Sequence, residues 1–143
     1  MALATVLLVD DEVPFVETMS KRLNKRNVEV LTAFDGKSAL KELEAQNSVE
    51  VVILDVKMPG MDGIDTLKEI KNRFPLIEVI MLTGHATVES AIEGMKQGAF
   101  DYLMKPCDMQ QLIQKVSEAA EKKRQHENKI IEARMKEITS RRV

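Results

Sequence analysis

Apolar positions along the chain fall into two alternating patterns. Short runs at 5–9 (TVLLV), 28–33 (VEVLTA), 51–54 (VVIL), 79–82 (VIML) and 100–104 (FDYLM) have the length of strands. The first, third and fourth show no polar alternation, as expected of parallel strands covered on both faces. Between them, about 14–25, 36–46, 64–73 and 87–97 carry the spacing of amphipathic helices. The punctuation agrees: Pro14 suits a first helical turn, Asp35 an N-cap and Gly98 a C-terminal stop. Strand–helix alternation with short loops predicts a doubly wound five-stranded parallel α/β sheet.

The last helix is longer than a sheet needs. Asp108 and Gln111 predict a capping box, and nothing breaks the pattern before Ser140. A helix of roughly 32 residues makes a rod of about 48 Å. Glu118/Lys122, Glu132/Lys136 and Glu137/Arg141 are i,i+4 pairs in the favourable order. Leu112, Val116, Ala119, Ile130 and Ala133 fit a heptad seam, interrupted by Lys123 and His126. The first half of this helix covers the sheet; the rest projects. Residues 1–120 are therefore read as one domain, and 121–143 as a helical extension that serves as a linker or dimerisation helix.

Charge sharpens that division. The 143-residue chain has net charge −2, yet residues 121–143 hold eight Lys/Arg against four Glu. The body is acidic and the tail basic. The tail has no aromatic residue and no helix-turn-helix after it, so a solvated face is expected rather than direct nucleic-acid binding. The N-terminus lacks a basic segment and reads as a strand rather than a signal peptide. No apolar run approaches a membrane span, and Cys107 is the single cysteine. A cytoplasmic protein without membrane association is expected.

The chemistry collects where the strands end. The first ends in Asp10-Asp11-Glu12, the third in Asp55, the fourth in Thr83 and the fifth in Lys105. In a parallel sheet these ends share one edge, where α/β folds place their ligands. Neighbouring carboxylates raise one another's pKa unless a cation relieves them. Mg²⁺ (or Mn²⁺) suits a site of few carboxylates and several waters. A further carboxylate oxygen is then free to attack a phosphoryl group, with an ammonium and a hydroxyl to meet its oxygens. Each residue alone has an ordinary reading: helix-dipole acids, a turn aspartate, a loop lysine, a capping threonine. Their conjunction points to phosphorylation of Asp55.

VLLVDDE, VVILDVKMPGMDG, MLTGHA and FDYLMKP resemble the signatures of bacterial response-regulator receiver domains, in order, over about residues 4–120. The resemblance implies strand order 2-1-3-4-5, a chemotaxis-regulator-like fold, and Asp55 as phosphoacceptor in two-component signalling. It implies Asp10, Asp11, Asp55 and the Lys57 backbone carbonyl as the metal set, with Asp11 and the Lys57 carbonyl as direct ligands and Asp10 acting largely through water. Thr83 and Lys105 would contact the phosphoryl group, and Tyr102 would be the rotating aromatic of the switch. Lys57 and His85 match positions that tune dephosphorylation in this family. Gly84 stands where alanine is common, which keeps the approach open, and Cys107 where phenylalanine is frequent. The tail resembles the linker helix of receivers from multi-domain transcriptional activators.

The expected function is a phosphorylation-dependent switch, not an enzyme with a separate substrate. It would catalyse only its own phosphoryl transfer and slow self-dephosphorylation. The expected partners are a histidine kinase, a downstream protein or fused effector domain, and a second copy through the fourth-helix/fifth-helix face or the last helix. An aspartate-nucleophile phosphatase would place an Asp-x-Asp pair after its first strand, whereas these acids are adjacent. A flavin module would need a Ser/Thr/Gly loop there; Asp10-Asp11-Glu12 would repel its phosphate.

Overall fold

The strands order themselves β2-β1-β3-β4-β5, all parallel, in one sheet. The structure, a computed structural model, describes residues 2–58, 60–85 and 87–141. Pro59 of the turn-rich segment after Asp55 and Arg142 of the basic tail lie outside the described residues. The elements are β1 (Ala4–Val9), α1 (Val13–Asn24), β2 (Val28–Ala33), α2 (Gly36–Ala45), β3 (Val51–Leu54), α3 (Gly63–Arg73), β4 (Glu78–Thr83), α4 (Val88–Lys96), β5 (Asp101–Met104) and α5 (Met109–Arg141).

Alternation along the strands divides the core between two faces. Val6, Leu8, Ile53, Ile80, Leu82 and Leu103 pack with residues of α1 and α5. Leu7, Val9, Val52, Leu54, Val79 and Met81 pack with residues of α2 and α3. Each fully buried Leu, Ile or Val contributes about 1.5–3 kcal/mol relative to exposure, so the central strands hold their register firmly. β2, at the sheet edge, is less buried and exposes Glu29 and Thr32.

Local signals act as the sequence predicts. Pro14 lies in the first turn of α1, and the Asp35 carboxylate accepts the Ser38 N–H at 2.7 Å. Gly98 follows α4 with φ +99°, a left-handed conformation that closes a helix without a Cβ clash. The last cap differs in detail: Asp108 accepts from the Gln110 N–H at 2.8 Å, one position earlier than the expected box.

α5 is a single helix of 33 residues. Its buried stripe is Leu112, Val116, Ala119 and Ala120. Contacts with the body continue through Arg124, and every described residue after Glu127 is exposed. Glu137 and Arg141 pair as predicted, at 2.5 Å. Lys122 does not turn back to Glu118. It lies 3.7 Å from Glu78, whose nearly buried carboxylate has little water to compete for it, while Glu118 faces Lys115 at 3.8 Å.

Candidate functional site

Register brings the first acids together. Val9 is the partner of Leu54, so Asp10 and Asp55 leave the sheet side by side, tied by the Asp55 N–H to the Val9 carbonyl at 3.0 Å. Both are buried, with 1% and 2% of their surface exposed. Each spends one carboxylate oxygen locally. Oδ1 of Asp10 accepts the Glu12 N–H at 3.0 Å, and Oδ1 of Asp55 accepts the Val56 N–H at 2.8 Å. The other oxygens face Lys105.

Lys105 follows β5, whose Met104 is the register partner of Thr83, and its peptide to Pro106 is cis. Its ammonium lies 2.6 Å from Asp10 Oδ2, 3.4 Å from Glu12 Oε1 and 4.0 Å from Asp55 Oδ2. Burial works against that ammonium, but the Asp10 hydrogen bond and the charges of Asp10, Asp55 and Glu12 hold its pKa above the ordinary lysine value. Asp10 is pushed up, chiefly by burial; the Asp55 charge adds to this, and the bonds from Lys105 and the Glu12 N–H oppose it. The expected rise among the acids is thus mostly desolvation, with mutual repulsion secondary.

Asp11, exposed, completes a set with Asp10 and Asp55. One oxygen from each lies within 4.8 Å of the others, a donor set of hard oxygens able to hold a small divalent cation. The cleft in front of them, about 450 Å³, is lined by Asp11, Glu12, Asp55, Lys57, Met58, Asp62 and His85. Thr83 is fully buried at the end of β4, and its Oγ1 accepts the His85 N–H at 3.0 Å. It caps no helix: α4 is capped by Thr87, in a reciprocal box with Ser90. A methyl group at Gly84 would meet nothing within 4 Å, so packing does not require glycine there.

Tyr102 is half-buried beside the second core, and its hydroxyl lies 2.7 Å from Ser90 Oγ. The tyrosine is therefore tied to the capping box of α4. Burial and Asp108 push the Cys107 thiol up, away from a reactive thiolate.

Three contributors were not legible as site residues. Ser90 shows in sequence only as a helix-start serine. Phe15 reads as an ordinary apolar residue of α1, yet the Lys105 ammonium sits 4.0 Å from its ring centroid. Gly63 donates its N–H to the Val56 carbonyl at 2.7 Å, and a methyl group on it would lie 2.0 Å from the Asp55 carbonyl oxygen. Asp62 caps α3, and Gly63 is the first residue of that helix.

Comparison with known proteins agrees with this geometry. Residues 6–117 match the family described as response regulator receiver domain. The transcriptional regulatory protein ZraR of Escherichia coli is 40% identical over 107 residues, 75% of this chain and 24% of that protein. The chain spans about a quarter of the length of the curated relatives it matches. A response regulator receiver domain protein from Clostridium thermocellum superposes with a TM-score of 0.81 at 40% identity, covering 85% of this chain and 97% of that one. The receiver domain of NtrX from Brucella abortus gives 0.76 at 35% identity, covering 81% and 98%.

Proposed function

The chain belongs to the response regulator receiver domain family, and from that premise we propose that Asp55 is its phosphoacceptor. A receiver domain is a signalling unit whose switching depends on phosphorylation. The observation that carries the assignment is the convergence of Asp10, Asp55 and Lys105, with Asp55 on the wall of one open cleft and its Oδ2 not taken up by the local turn.

In this reading a histidine kinase presents a phosphohistidine. Asp55 Oδ2 attacks phosphorus, the bond to the imidazole nitrogen breaks, and an aspartyl phosphate forms. Asp10, Asp11, Asp55 and the Lys57 carbonyl would hold Mg²⁺ (or Mn²⁺), which supplies positive charge to the transferring phosphoryl oxygens. The three clustered carboxylates fit such a cation, and the burial strain on Asp10 gives it something to relieve. Lys105 donates to a second phosphoryl oxygen, and Thr83 supplies a hydroxyl. Lys57 and His85, in the cleft wall, govern how readily water reaches the product.

The aspartyl phosphate adds close to two negative charges. Thr83 moves toward it, and Tyr102 turns into the space released. A near-complete population shift takes on the order of 5 kcal/mol, within reach of a few charge-assisted hydrogen bonds at about 1.5–3 kcal/mol each. The readout surface is the face formed by α4, β5 and α5, where Val88, Ile92, Met95 and Met104 are exposed. Residues 1–120 form the receiver unit. Residues 121–143 connect it to an output partner or pair with a second copy, and the exposed Ile130, Ile131, Met135 and Ile138 supply the apolar surface for either.

The test is intact-mass measurement after incubation with acetyl phosphate and Mg²⁺. The wild type should gain one phosphoryl group and Asp55→Asn none. A variant that gains the same mass removes Asp55 from its role.

A further inference from the structure

The Lys105 ammonium meets Asp10 at 2.6 Å, Glu12 at 3.4 Å and the face of Phe15 with its centroid at 4.0 Å, with Asp55 also at 4.0 Å. Asp10 belongs to the carboxylate set that would hold a metal cation, and its attraction falls when a cation shares it; Glu12 lies outside that set, and its exposed side chain is screened by water. The third is different in kind. A ring quadrupole attracts an ammonium, does not coordinate a hard cation, and leaves the remaining ammonium protons for other acceptors.

We propose that Phe15 is a positioning residue for Lys105, holding the ammonium at the mouth of the acidic site once Asp10 is engaged elsewhere. The inference rests on the reading that Lys105 must release Asp10 to meet a phosphoryl group on Asp55, whose Oδ2 lies 4.0 Å away. A lysine left to the solvent-exposed Glu12 would be weakly anchored at the moment it is needed. Phe15 supplies a second anchor. Its ring sits on α1, the helix that Asp10-Asp11-Glu12 lead into, so the support is fixed to the same segment as the acids. Beside it lies a cavity of about 230 Å³, lined also by Met19, Leu82, Pro106 and Cys107, which gives a larger ring room.

The test compares Phe15→Leu, Phe15→Tyr and Phe15→Trp. Leucine keeps apolar bulk and removes the quadrupole; the aromatics keep both. The first readout needs no phosphorylation: an upfield ring-current shift of the Lys105 ε-methylene protons by NMR, present in wild type and lost in Phe15→Leu. The second is the initial rate of phosphoryl uptake from acetyl phosphate and Mg²⁺, a small donor that needs no protein docking surface. Phe15→Leu should be about two- to fivefold slower, with Phe15→Tyr and Phe15→Trp restored to the wild-type rate. A wild-type rate in Phe15→Leu overturns the proposal, as does an equal loss in all three variants. Asp55→Asn, run beside them, separates the two ideas: uptake there removes the phosphoacceptor assignment, while the ring-current comparison still judges Phe15.

Discussion

Arg124 grips both carboxylate oxygens of Glu50, at 2.6 and 2.9 Å, and reaches on to the Leu3 carbonyl at 3.0 Å. Glu50 immediately precedes β3, whose other end delivers Asp55. The contact therefore fastens α5 to the edge of the sheet opposite the acidic cleft. A bidentate fork is a strong form of ion pair, but the Arg124 side chain is 47% exposed and solvent discounts the charge. A double-mutant cycle with Arg124→Gln and Glu50→Gln, read by urea unfolding, should give a coupling of about 0.5–1 kcal/mol. A coupling of zero would mean that α5 docks through its apolar stripe alone.

The same pair sets a pH dependence. Burial would raise the Glu50 carboxyl, but the hydrogen bonds from Arg124 and the Thr5 N–H, with the Arg124 and Lys123 charges, bring it below its ordinary value. A depressed folded pKa stabilises above the unfolded value of about 4.3 and ceases to do so as pH falls through the folded value. The stability difference between wild type and Glu50→Gln should thus be constant near neutrality and shrink on acidification below about pH 4. Urea midpoints measured across that range decide it.

Gly63→Ala should be among the most damaging small substitutions. The added methyl collides with the Asp55 backbone, which cannot swing aside as a flexible side chain would. A loss of about 1–3 kcal/mol is expected from overpacking, together with slower phosphoryl uptake because Asp55 is displaced. Retained wild-type uptake in a folded variant would show that the loop absorbs the methyl.

Tyr102→Phe and Ser90→Ala each remove the same hydroxyl contact. Because Ser90→Ala also opens the capping box with Thr87, the double variant should behave like Ser90→Ala in partner binding and in the fraction switched by phosphorylation. Additive effects would mean that the two hydroxyls act separately. Tyr102→Ala should leave phosphoryl uptake intact and weaken the response of a partner to phosphorylation.

Leu112→Ala and Ile131→Ala separate the two halves of α5. Leu112 is fully buried and Ile131 is 52% exposed. The first should cost about 2–5 kcal/mol, as large-to-small core changes do. The second should stay within about 0.5 kcal/mol in dilute solution, where no second chain covers it. Thermal or urea unfolding at two protein concentrations distinguishes these outcomes, since a concentration-dependent loss in Ile131→Ala would reveal self-association.

The central strands were legible because unbroken apolar runs with short loops leave few alternatives to a covered parallel sheet. Asp10, Asp11, Asp55, Thr83 and Lys105 were legible because each directly follows or closes such a run. Glu78 hid the true start of β4: a charged residue reads as loop, yet here it is buried with Lys71 at 3.8 Å and Lys122 at 3.7 Å. Ser90–Tyr102, Phe15–Lys105 and Glu50–Arg124 were not legible at all. The last two join elements far apart in sequence and the first joins consecutive elements, but a periodicity reports which face is apolar, not which neighbour the topology lays against it.

The uninterrupted helix has a mechanical consequence. From Gln125 to Arg141, α5 extends about 25 Å past its last anchor on the body. A pivot of roughly ten degrees at Arg124 carries the far end about 4 Å, by the geometry of a lever of that length. A sub-ångström adjustment beneath the fulcrum is thereby magnified at the tip, without any bond in the shaft having to break.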